Sequence, residues 1–167
     1  MADLGTGSGA ILVGFLYYCR DAVGVGVDIS TEALKIAEEN GQNLKITDRV
    51  EWRQGDYLKA FNEEDIFDGI FSNPPYIPTK DIGGLSREVK HEPRLALDGG
   101  TDGLYFYHLL AKGAAEHLKP GGFLAVEFGI GQATDILEMF RKSAQYEDFE
   151  VIKDYGGIER ALYCRKK

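Results

Sequence analysis

The sequence lacks the features that mark secreted, membrane-spanning and exported proteins. It has only two cysteines, Cys19 and Cys164, which lie far apart and form no C-x-x-C motif. Such sparse cysteine excludes a disulfide-rich scaffold and favours two thiols in a reducing compartment. No stretch approaches the ~20 apolar residues of a membrane span, and the N-terminus has no basic region followed by an apolar run, as a signal peptide would. We therefore expect a cytoplasmic protein with no membrane partner.

Basic residues are fewer than acidic residues. The 167 residues include 19 Lys and Arg against 27 Asp and Glu, which gives a formal net charge of -8. The only basic cluster is Arg165-Lys166-Lys167, which is too short to follow a nucleic-acid backbone. Charge therefore argues weakly against a DNA or RNA substrate. The histidines His91, His108 and His117 have no metal-ligand spacing, so no metal is expected.

Apolar and helical patterns alternate along the chain. Strands are predicted at residues 22–28, 50–53, 66–71 and 123–128, with the end of a strand at 1–4 and a closing antiparallel pair at 149–152 and 161–164. Helices are predicted at 10–19, from the Ser30 N-cap to Asn40-Gly41, at 104–118 and at 133–143. Residues 77–101 form a long irregular segment, which in a compact domain is usually functional or mobile. The alternation predicts one α/β domain with a mostly parallel sheet, helices on both faces and a ligand site at the carboxyl ends of the strands.

A glycine-rich turn, Gly5-Thr6-Gly7-Ser8-Gly9, follows the first short strand and precedes a helix. Glycines without a Cβ let the backbone approach a ligand closely, and the N-terminus of the next helix directs its N–H groups there. Asp28 lies nineteen positions after Gly9, at the end of the next strand, where it can accept hydrogen bonds from two ribose hydroxyls. The pattern predicts a nucleotide-like cofactor, with a bare strand–helix turn as the alternative.

The type of cofactor depends on Asp3, which precedes the turn. Gly5, Gly7 and Ala10 also satisfy the dinucleotide pattern G-x-G-x-x-A. A carboxylate beside the turn suits a ligand that carries an ammonium group and is unfavourable beside a pyrophosphate. The sequence therefore favours S-adenosylmethionine, which has an ammonium and a sulfonium group, over NAD.

The pair Asp56-Tyr57 follows the third predicted strand. The carboxylate can accept a hydrogen bond from the adenine amino group, and the aromatic ring can cover a purine face. An ordinary turn acid beside a half-buried tyrosine explains these two residues equally well when they are considered alone.

The segment Ser72-Asn73-Pro74-Pro75-Tyr76 directly follows the fourth predicted strand. Its prolines fix the backbone and remove two N–H donors, and a residue before proline is held extended. An amide or exocyclic amino nitrogen is a poor nucleophile because its lone pair is delocalised. Two acceptors, the Asn73 side-chain oxygen and the Pro74 carbonyl, could orient this nitrogen and increase its electron density. Tyr76 could pack against the flat target group. The segment predicts direct methyl transfer to a planar nitrogen, with a rigid Pro-Pro turn as the alternative.

With these motifs, the chain resembles the HemK/PrmC protein-(glutamine-N5) methyltransferases, which act on the Gly-Gly-Gln motif of peptide chain release factors. The matching segments cover nearly the whole chain: residues 3–11, 27–34, 55–56, 67–77, 88–89, 92–93, 96–97, 99–104 and 118–122. The glycine turn and Asn-Pro-Pro-Tyr are shared by many amino-methylating enzymes. The stretch from Glu92-Pro93 through Ala96-Leu97 to residues 99–104 is the more specific signal.

The resemblance implies a Rossmann-like, seven-stranded SAM-dependent methyltransferase sheet, mostly parallel with one antiparallel strand. It implies S-adenosylmethionine as cofactor, S-adenosylhomocysteine as product and a release factor as protein substrate. Together with the arguments above, the cofactor-binding candidates are Asp3, Gly5, Thr6, Gly7, Ser8, Gly9, Asp28, Ile29, Asp56, Tyr57 and Asn73. The candidates for holding the target glutamine are Asn73, Pro74, Pro75 and Tyr76, and the catalytic candidates among them are Asn73, Pro74 and Tyr76.

Two departures from the family pattern concern the N-terminal side. Family members carry a helical N-terminal domain that helps to recognise the release factor, whereas residues 1–167 are expected to be the catalytic domain only. Parallel strands average about 5–6 residues, but only Met1, Ala2 and Leu4 adjoin Asp3, so the first strand is expected to be truncated. We hypothesise a fragment or a mis-started reading frame, which an upstream stop codon close to Met1 would contradict.

Two other functions compete with glutamine methylation. An N6-adenine or other amino methyltransferase on DNA or RNA would use the same chemistry on a flipped base, although the net charge and the segment after Tyr76 disfavour it. A non-catalytic remnant that binds cofactor or a partner is the second alternative, because the first strand is so short. Glu127, near the end of the strand at 123–128, either orients site residues or is only a strand-end charge.

Overall fold

A seven-stranded sheet forms the centre of the structure, a computed structural model in which residues 1–86 and 93–167 are described. The strands are β1 (Ala2–Leu4), β2 (Gly24–Asp28), β3 (Val50–Gln54), β4 (Phe67–Ser72), β5 (Leu118–Glu127), β6 (Tyr146–Lys153) and β7 (Glu159–Lys166). Their order across the sheet is β3-β2-β1-β4-β5-β7-β6. The pairs among β1 to β5 are parallel, and β7 is antiparallel to both β5 and β6. The predicted mostly parallel sheet with a reversed last strand is confirmed.

Helices cover both faces of this sheet, as predicted. They are α1 (Ala10–Tyr18), α2 (Thr31–Asn43), α3 (Tyr105–Gly113) and α4 (Ala133–Lys142). Helices α1 and α2 contact each other, and so do α3 and α4. The side chains of α1 and those of α3 and α4 enter two separate apolar clusters. Within residues 1–86 and 93–167, no helix has the length and apolar character that crossing a bilayer requires.

Strand β1 is short but lies at the centre of the sheet, between β2 and β4. Its side chains are buried: Ala2 and Leu4 have no exposed surface and Asp3 is 1% exposed. Ala2 and Leu4 belong to the core cluster that includes Tyr107 of α3 and Phe140 of α4. Because side chains alternate along a strand, Asp3 faces the opposite side, beneath the glycine turn. The first strand is short, as predicted.

Helix α2 begins as predicted and ends later. The Ser30 hydroxyl oxygen accepts a hydrogen bond from the backbone N–H three residues on, at 3.2 Å, which is a typical N-cap. The sequence predicts an end at Asn40-Gly41, but the helix runs to Asn43. Gly41 is buried beside Trp52, and this packing offsets the ~1 kcal/mol that glycine costs a helix. Lys45 then adopts a φ of 56°, the left-handed conformation that commonly ends helices.

The single helix predicted over residues 104–118 is wrong in its second half. Helix α3 ends at Gly113, and a 3₁₀ turn over Ala114–His117 follows it. Strand β5 begins at Leu118, earlier than predicted, because this buried side chain lies opposite Phe67 of β4. A shift in the β4–β5 register just after this pair accommodates the Pro-Gly-Gly sequence inside the strand.

The predicted irregular segment at 77–101 is built from short turns in its described parts. These are 3₁₀ turns over Thr79–Gly84 and Arg94–Ala96, and a bridge between Ile77 and Asp98. Backbone hydrogen bonds join the two ends of the segment beside this bridge. The segment therefore begins and ends close to the carboxyl end of β4.

Candidate active site

A cavity of about 430 Å³ opens at the carboxyl ends of β1, β2 and β4, where parallel sheets of this kind bind ligands. Its walls are the turn after β1, the start of α2, the residues after β3 and the segment after β4. Phe106 of α3 and the turn at residues 93–96 complete them. The location is the one that the alternating pattern predicts.

Most of the predicted site residues meet at this cavity. The predicted residues that line it are Gly5, Gly7, Ser8, Asp28, Ile29, Asp56, Tyr57, Asn73 and Pro75. The predicted residues that do not line it are Asp3, Thr6, Gly9, Pro74 and Tyr76. The cavity is also lined by residues that were not predicted to be in the site: Ser30, Glu32, Ala33, Ile36, Gly55, Pro93, Leu95, Ala96 and Phe106. Several of these adjoin the motifs in sequence, but no motif points to Ile36 or Phe106.

Two glycines of the turn are required for different reasons. Gly7 has a φ of 55° and open space where a Cβ would stand, so it leaves the cavity wall free for a ligand. Gly9 has a φ of 78°, and a Cβ there would come within 3.1 Å of Ala37 and Trp52. Gly9 therefore lets α1 and α2 approach each other beneath the turn rather than forming the wall.

Asp28 both shapes the glycine turn and faces the cavity. One carboxylate oxygen accepts a hydrogen bond from the Gly7 N–H at 2.8 Å, and the other accepts from the Ser30 N–H at 2.9 Å. Each carboxylate oxygen has further lone-pair capacity. Asp28 can therefore hold the turn and still accept hydrogen bonds from a ligand diol.

Asp3 lies beneath the turn rather than on the cavity wall. The Thr6 hydroxyl donates a hydrogen bond of 2.7 Å to Asp3 Oδ2. The pKa of Asp3 is raised to about 6, mainly by burial and to a smaller extent by the charge of Asp28, although the Thr6 hydroxyl and the Leu12 backbone amide oppose this rise. Asp3 therefore acts on the site by supporting the turn, and its predicted contact with a cationic ligand stays a prediction.

Tyr57 lines the cavity, and its hydroxyl is buried against Gly5. Its ring stacks on Phe106, with centroids 4.5 Å apart and planes 25° apart. A Cβ on Gly5 would come within 2.9 Å of the Tyr57 hydroxyl oxygen. The Ser72 hydroxyl lies near enough to act on this phenol but donates its own proton to the Leu4 carbonyl, so the Tyr57 hydroxyl has no hydrogen-bond partner among the described residues. Burial raises the pKa of Tyr57 well above its ordinary value, so the phenol is a neutral donor at neutral pH.

The segment after β4 leaves two acceptors unused, the Asn73 side-chain oxygen and the Pro74 carbonyl. Asn73 is exposed at the cavity edge, and Pro74 and Pro75 behind it are buried. Among the described residues, no hydrogen bond uses the Asn73 side chain or the Pro74 carbonyl. Neither proline has an N–H, so this part of the segment can accept hydrogen bonds but cannot donate them from the proline positions.

The chemistry of the walls fits a cationic nucleoside. Three carboxylates, Asp28, Glu32 and Asp56, line the cavity, and no Lys, Arg or His is among the described lining residues. A pyrophosphate would face these acids without a cation to balance it. A ribose diol, an adenine amino group and a positively charged sulfonium or ammonium match the acceptors, so the residues fit S-adenosylmethionine better than a dinucleotide. In the part of the chain that the structure describes, no group of His, Cys, Asp or Glu could hold a metal ion.

Comparison with known families agrees with this fit. The sequence matches the family described as a methyltransferase domain over residues 1–127, well over half of the chain. The chain belongs to this methyltransferase domain family. The matched part of the methyltransferase domain contains the glycine turn, Asp28 and the segment at 73–76.

Curated relatives extend the similarity over the whole methyltransferase domain. The release factor glutamine methyltransferase of Moorella thermoacetica is 42% identical over 167 residues, which are 100% of this chain and 59% of that protein. The release factor glutamine methyltransferase of Bradyrhizobium diazoefficiens is 47% identical over 167 residues, 99% of this chain and 56% of that protein. The resemblance inferred from the motifs is confirmed, and the chain spans a little more than half the length of these relatives.

Solved structures share the fold of this methyltransferase domain. A methyltransferase from Pyrococcus furiosus superposes with a TM-score of 0.73 at 24% identity, over 99% of this chain and 73% of that chain. An RNA methyltransferase from Salinibacter ruber, solved in complex with S-adenosyl-L-homocysteine, superposes with a TM-score of 0.58 at 19% identity, over 99% of this chain and 78% of that chain. At these identities the likeness supports the fold, and the seven-stranded methyltransferase sheet is confirmed.

The most specific part of the resemblance lies behind the segment at 73–76. Glu92 of that stretch lies outside the described residues, as do Glu88 and Val89 of the neighbouring matching segment. Leu97 is buried, and Gly99 and Gly103 lie against the backbone of Pro75 and Tyr76. The described part of the stretch therefore supports the segment rather than lining the cavity throughout.

Glu127 ends β5 and does not line the cavity. Burial raises the pKa of this half-buried carboxyl above its ordinary value, and the nearby Arg160 opposes the rise. Its backbone carbonyl accepts a hydrogen bond of 2.7 Å from the Tyr107 hydroxyl. Glu127 is therefore tied to the core through its main chain, and both interpretations of its side chain remain open.

Proposed function

We propose that this chain transfers a methyl group from S-adenosylmethionine to the side-chain amide nitrogen of a glutamine, the Gln of the Gly-Gly-Gln motif in peptide chain release factors. The observation that carries the proposal is Asn73, whose exposed side chain has no hydrogen-bond partner among the described residues and lies at the edge of the acidic cavity. The names of the relatives, release factor glutamine methyltransferases, support the choice of substrate. We also propose that the protein acts in the cytoplasm.

In this proposal the cavity binds the cofactor through the positive charge and the ribose diol of the cofactor. S-adenosylmethionine would supply an electrophilic methyl group on a sulfonium. The bond from nitrogen to the methyl carbon would form as the methyl–sulfur bond breaks, S-adenosylhomocysteine would leave, and the amide would release one N–H proton to water. Asp28 accepts the ribose hydroxyls with the lone pairs that Gly7 and Ser30 leave free. Asp56 would accept from the adenine amino group, and the Tyr57 ring would cover a purine face. The cavity therefore contributes orientation and charge balance, which are the main requirements of a displacement reaction.

The segment at 73–76 prepares the target nitrogen. The Asn73 side-chain oxygen and the Pro74 carbonyl each accept one N–H of the glutamine amide, which orients the nitrogen and increases its electron density. The buried prolines cannot offer competing N–H donors, and Tyr76 packs against the flat amide. Asn73 also borders the cofactor cavity, so one residue holds the target beside the methyl donor.

A transfer assay with methyl-labelled S-adenosylmethionine tests the proposal. The protein is incubated separately with a release factor, with the same factor carrying Ala in place of the motif Gln, and with DNA and RNA. The proposal expects label in the intact release factor only, and loss of that label with Asn73→Ala. Cofactor affinity is measured in parallel by calorimetry, so that failed binding is distinguished from failed transfer.

Each alternative function has its own outcome in this assay. Label in nucleic acid and none in the release factor would refute glutamine methylation in favour of an amino methyltransferase on a base. Cofactor binding without transfer to any substrate would identify a non-catalytic remnant. Label that survives the motif Gln→Ala change would show that the target lies elsewhere in the release factor.

A further inference from the structure

We infer that Gln132 is a positioning residue for the segment at 73–76, an inference that rests on the proposed function. Gln132 is the N-cap residue of α4, on the turn that follows β5. It does not line the cavity, and neither the motifs nor the family match singles it out. It acts through the backbone of the segment that carries Asn73.

The side-chain amide of Gln132 joins three parts of the chain. Its Nε2 donates to the Tyr76 carbonyl at 3.0 Å and to the Gly103 carbonyl at 3.3 Å. Its Oε1 accepts from the Gly129 N–H at 2.9 Å. The carboxyl ends of β4 and β5 and the loop before α3 are therefore tied together by one half-buried amide.

Three glycines bring the backbone close enough for this amide to reach. A Cβ on Gly99 would stand 2.8 Å from the Pro75 carbonyl oxygen, and one on Gly103 would stand 2.4 Å from the Tyr76 carbonyl oxygen. A Cβ on Gly129 would stand 2.9 Å from the Tyr76 ring. These distances are too short for any side chain, so the segment at 73–76 is enclosed from behind by bare backbone.

Two carbonyls of the segment differ in whether they accept a hydrogen bond from the protein. Gln132 occupies the Tyr76 carbonyl, whereas no hydrogen bond among the described residues occupies the Pro74 carbonyl two residues earlier. The intervening Pro75 has a fixed φ, so fixing the Tyr76 carbonyl restricts the direction of the Pro74 carbonyl. Gln132 thus helps to aim the acceptors that the proposed reaction needs, without touching either ligand.

The test compares Gln132→Met with a matched control, Gln145→Met. Gln145 also donates from Nε2 to two backbone carbonyls, those of Ala111 and Lys112, at 3.2 and 3.1 Å, but it lies away from the cavity. We expect kcat for methyl transfer to fall about 10- to 100-fold in Gln132→Met, since a misplacement of about 1 Å can cost that much. KM and Kd for S-adenosylmethionine should not change, and Gln145→Met should keep the wild-type kcat.

A second readout does not depend on activity. Amide hydrogen exchange at Ile77 and Gly99, whose N–H groups bond across the loop ends, should accelerate in Gln132→Met and not in Gln145→Met. Gln132→Glu keeps the acceptor for Gly129 and loses the donor, and it serves as the second variant if the Met variant does not fold. Unchanged kcat or unchanged exchange in a folded Gln132 variant would overturn the inference. If the wild type transfers no methyl group, the proposed function fails and the exchange comparison alone decides the role of Gln132.

Discussion

The two sides of the cavity are supported in opposite ways. On the β2 side, Asp28 holds the glycine turn through Gly7 and Ser30 and also faces the ligand space. On the β4 side, Asn73 has no hydrogen bond to a described residue, and the segment that carries it is held from behind by Gln132. One side combines structural support and the proposed ligand contact in a single carboxylate, and the other divides these two roles between residues. A substitution on the β2 side should therefore change the shape of the site and the affinity for a ligand together. A substitution on the β4 side should change one of them without the other.

Asn73→Ala should have the largest effect on transfer and little effect on stability. Its side chain is exposed and unbonded to the described residues, whereas the loss of one preorganised hydrogen-bonding group in an active site costs about 10²–10³ in kcat. Stopped assays and urea unfolding measure the two quantities. Asn62→Ala, another exposed asparagine away from the cavity, is the control. A large loss of stability in Asn73→Ala would show that structural support and ligand contact are not divided between residues on this side.

Asp28→Asn should weaken cofactor binding and lower stability together. The amide that replaces the carboxylate keeps one acceptor oxygen but places an N–H against the backbone N–H of Gly7 or Ser30. A hydrogen bond to a charged group contributes about 1.5–3 kcal/mol. This free energy corresponds to roughly 10- to 100-fold in Kd. The control is Asp154→Asn, because Asp154 also accepts from two backbone N–H groups, at 2.8 and 3.0 Å, in the β6–β7 hairpin. Both variants should lose stability, as measured by thermal unfolding. Calorimetry that finds unchanged cofactor affinity in Asp28→Asn would contradict the double role.

Gly7→Ala should reduce cofactor affinity more modestly, by about tenfold or ~1.4 kcal/mol. Gly7 and Gly121 both have positive φ, 55° and 74°, and neither has an atom within 4 Å of an added Cβ. Both alanine variants should lose about 1–2 kcal/mol of stability from backbone strain. Only the methyl group at position 7 lies on the cavity wall, so equal affinity in the two variants would argue against a cofactor at the turn.

Asp3→Asn should have the smallest effect on transfer and a distinctive effect on stability. The pKa of Asp3 is raised from 3.8 to about 6 in the folded protein, so the folded state binds the proton more tightly than the unfolded state. The wild type should therefore lose stability as the pH rises from about 4 to 6, by on the order of 3 kcal/mol at most. The variant lacks this carboxyl, and its stability relative to the wild type should increase over the same interval. Parallel urea-unfolding profiles from pH 4 to 7 would refute this assignment.

The parts of the site that the sequence predicted are those set by local backbone requirements. Alternating glycines permit the positive φ of residues 5, 7 and 9, Asp28 ends the next strand, and two prolines restrict the backbone beside Asn73. Each of these requirements acts within a few positions of the residue concerned. The cavity indeed brings Gly7, Asp28 and Asn73 together, while their individual roles stay predictions.

The parts that the sequence did not predict depend on contacts between distant residues. Gln132 reaches Tyr76 across 56 positions, and Phe106 reaches Tyr57 from a different helix. Neither side chain lies in a motif, and only the packed sheet brings the pairs together. The late end of α2 and the early start of β5 have the same origin, because burial of Gly41 and Leu118 overrode the local signals of glycine and proline.

The stack between Tyr57 and Phe106 gives the two sides of the cavity a common wall. Phe106 belongs to the first turn of α3, which begins just after Gly103, and Gly103 shares the Gln132 amide with Tyr76. A ligand that moved the Tyr57 ring would therefore press on the helix that supports the opposite side. If binding of the methyl donor moves this helix, thermodynamic linkage requires that donor and acceptor change each other's affinity by the same factor.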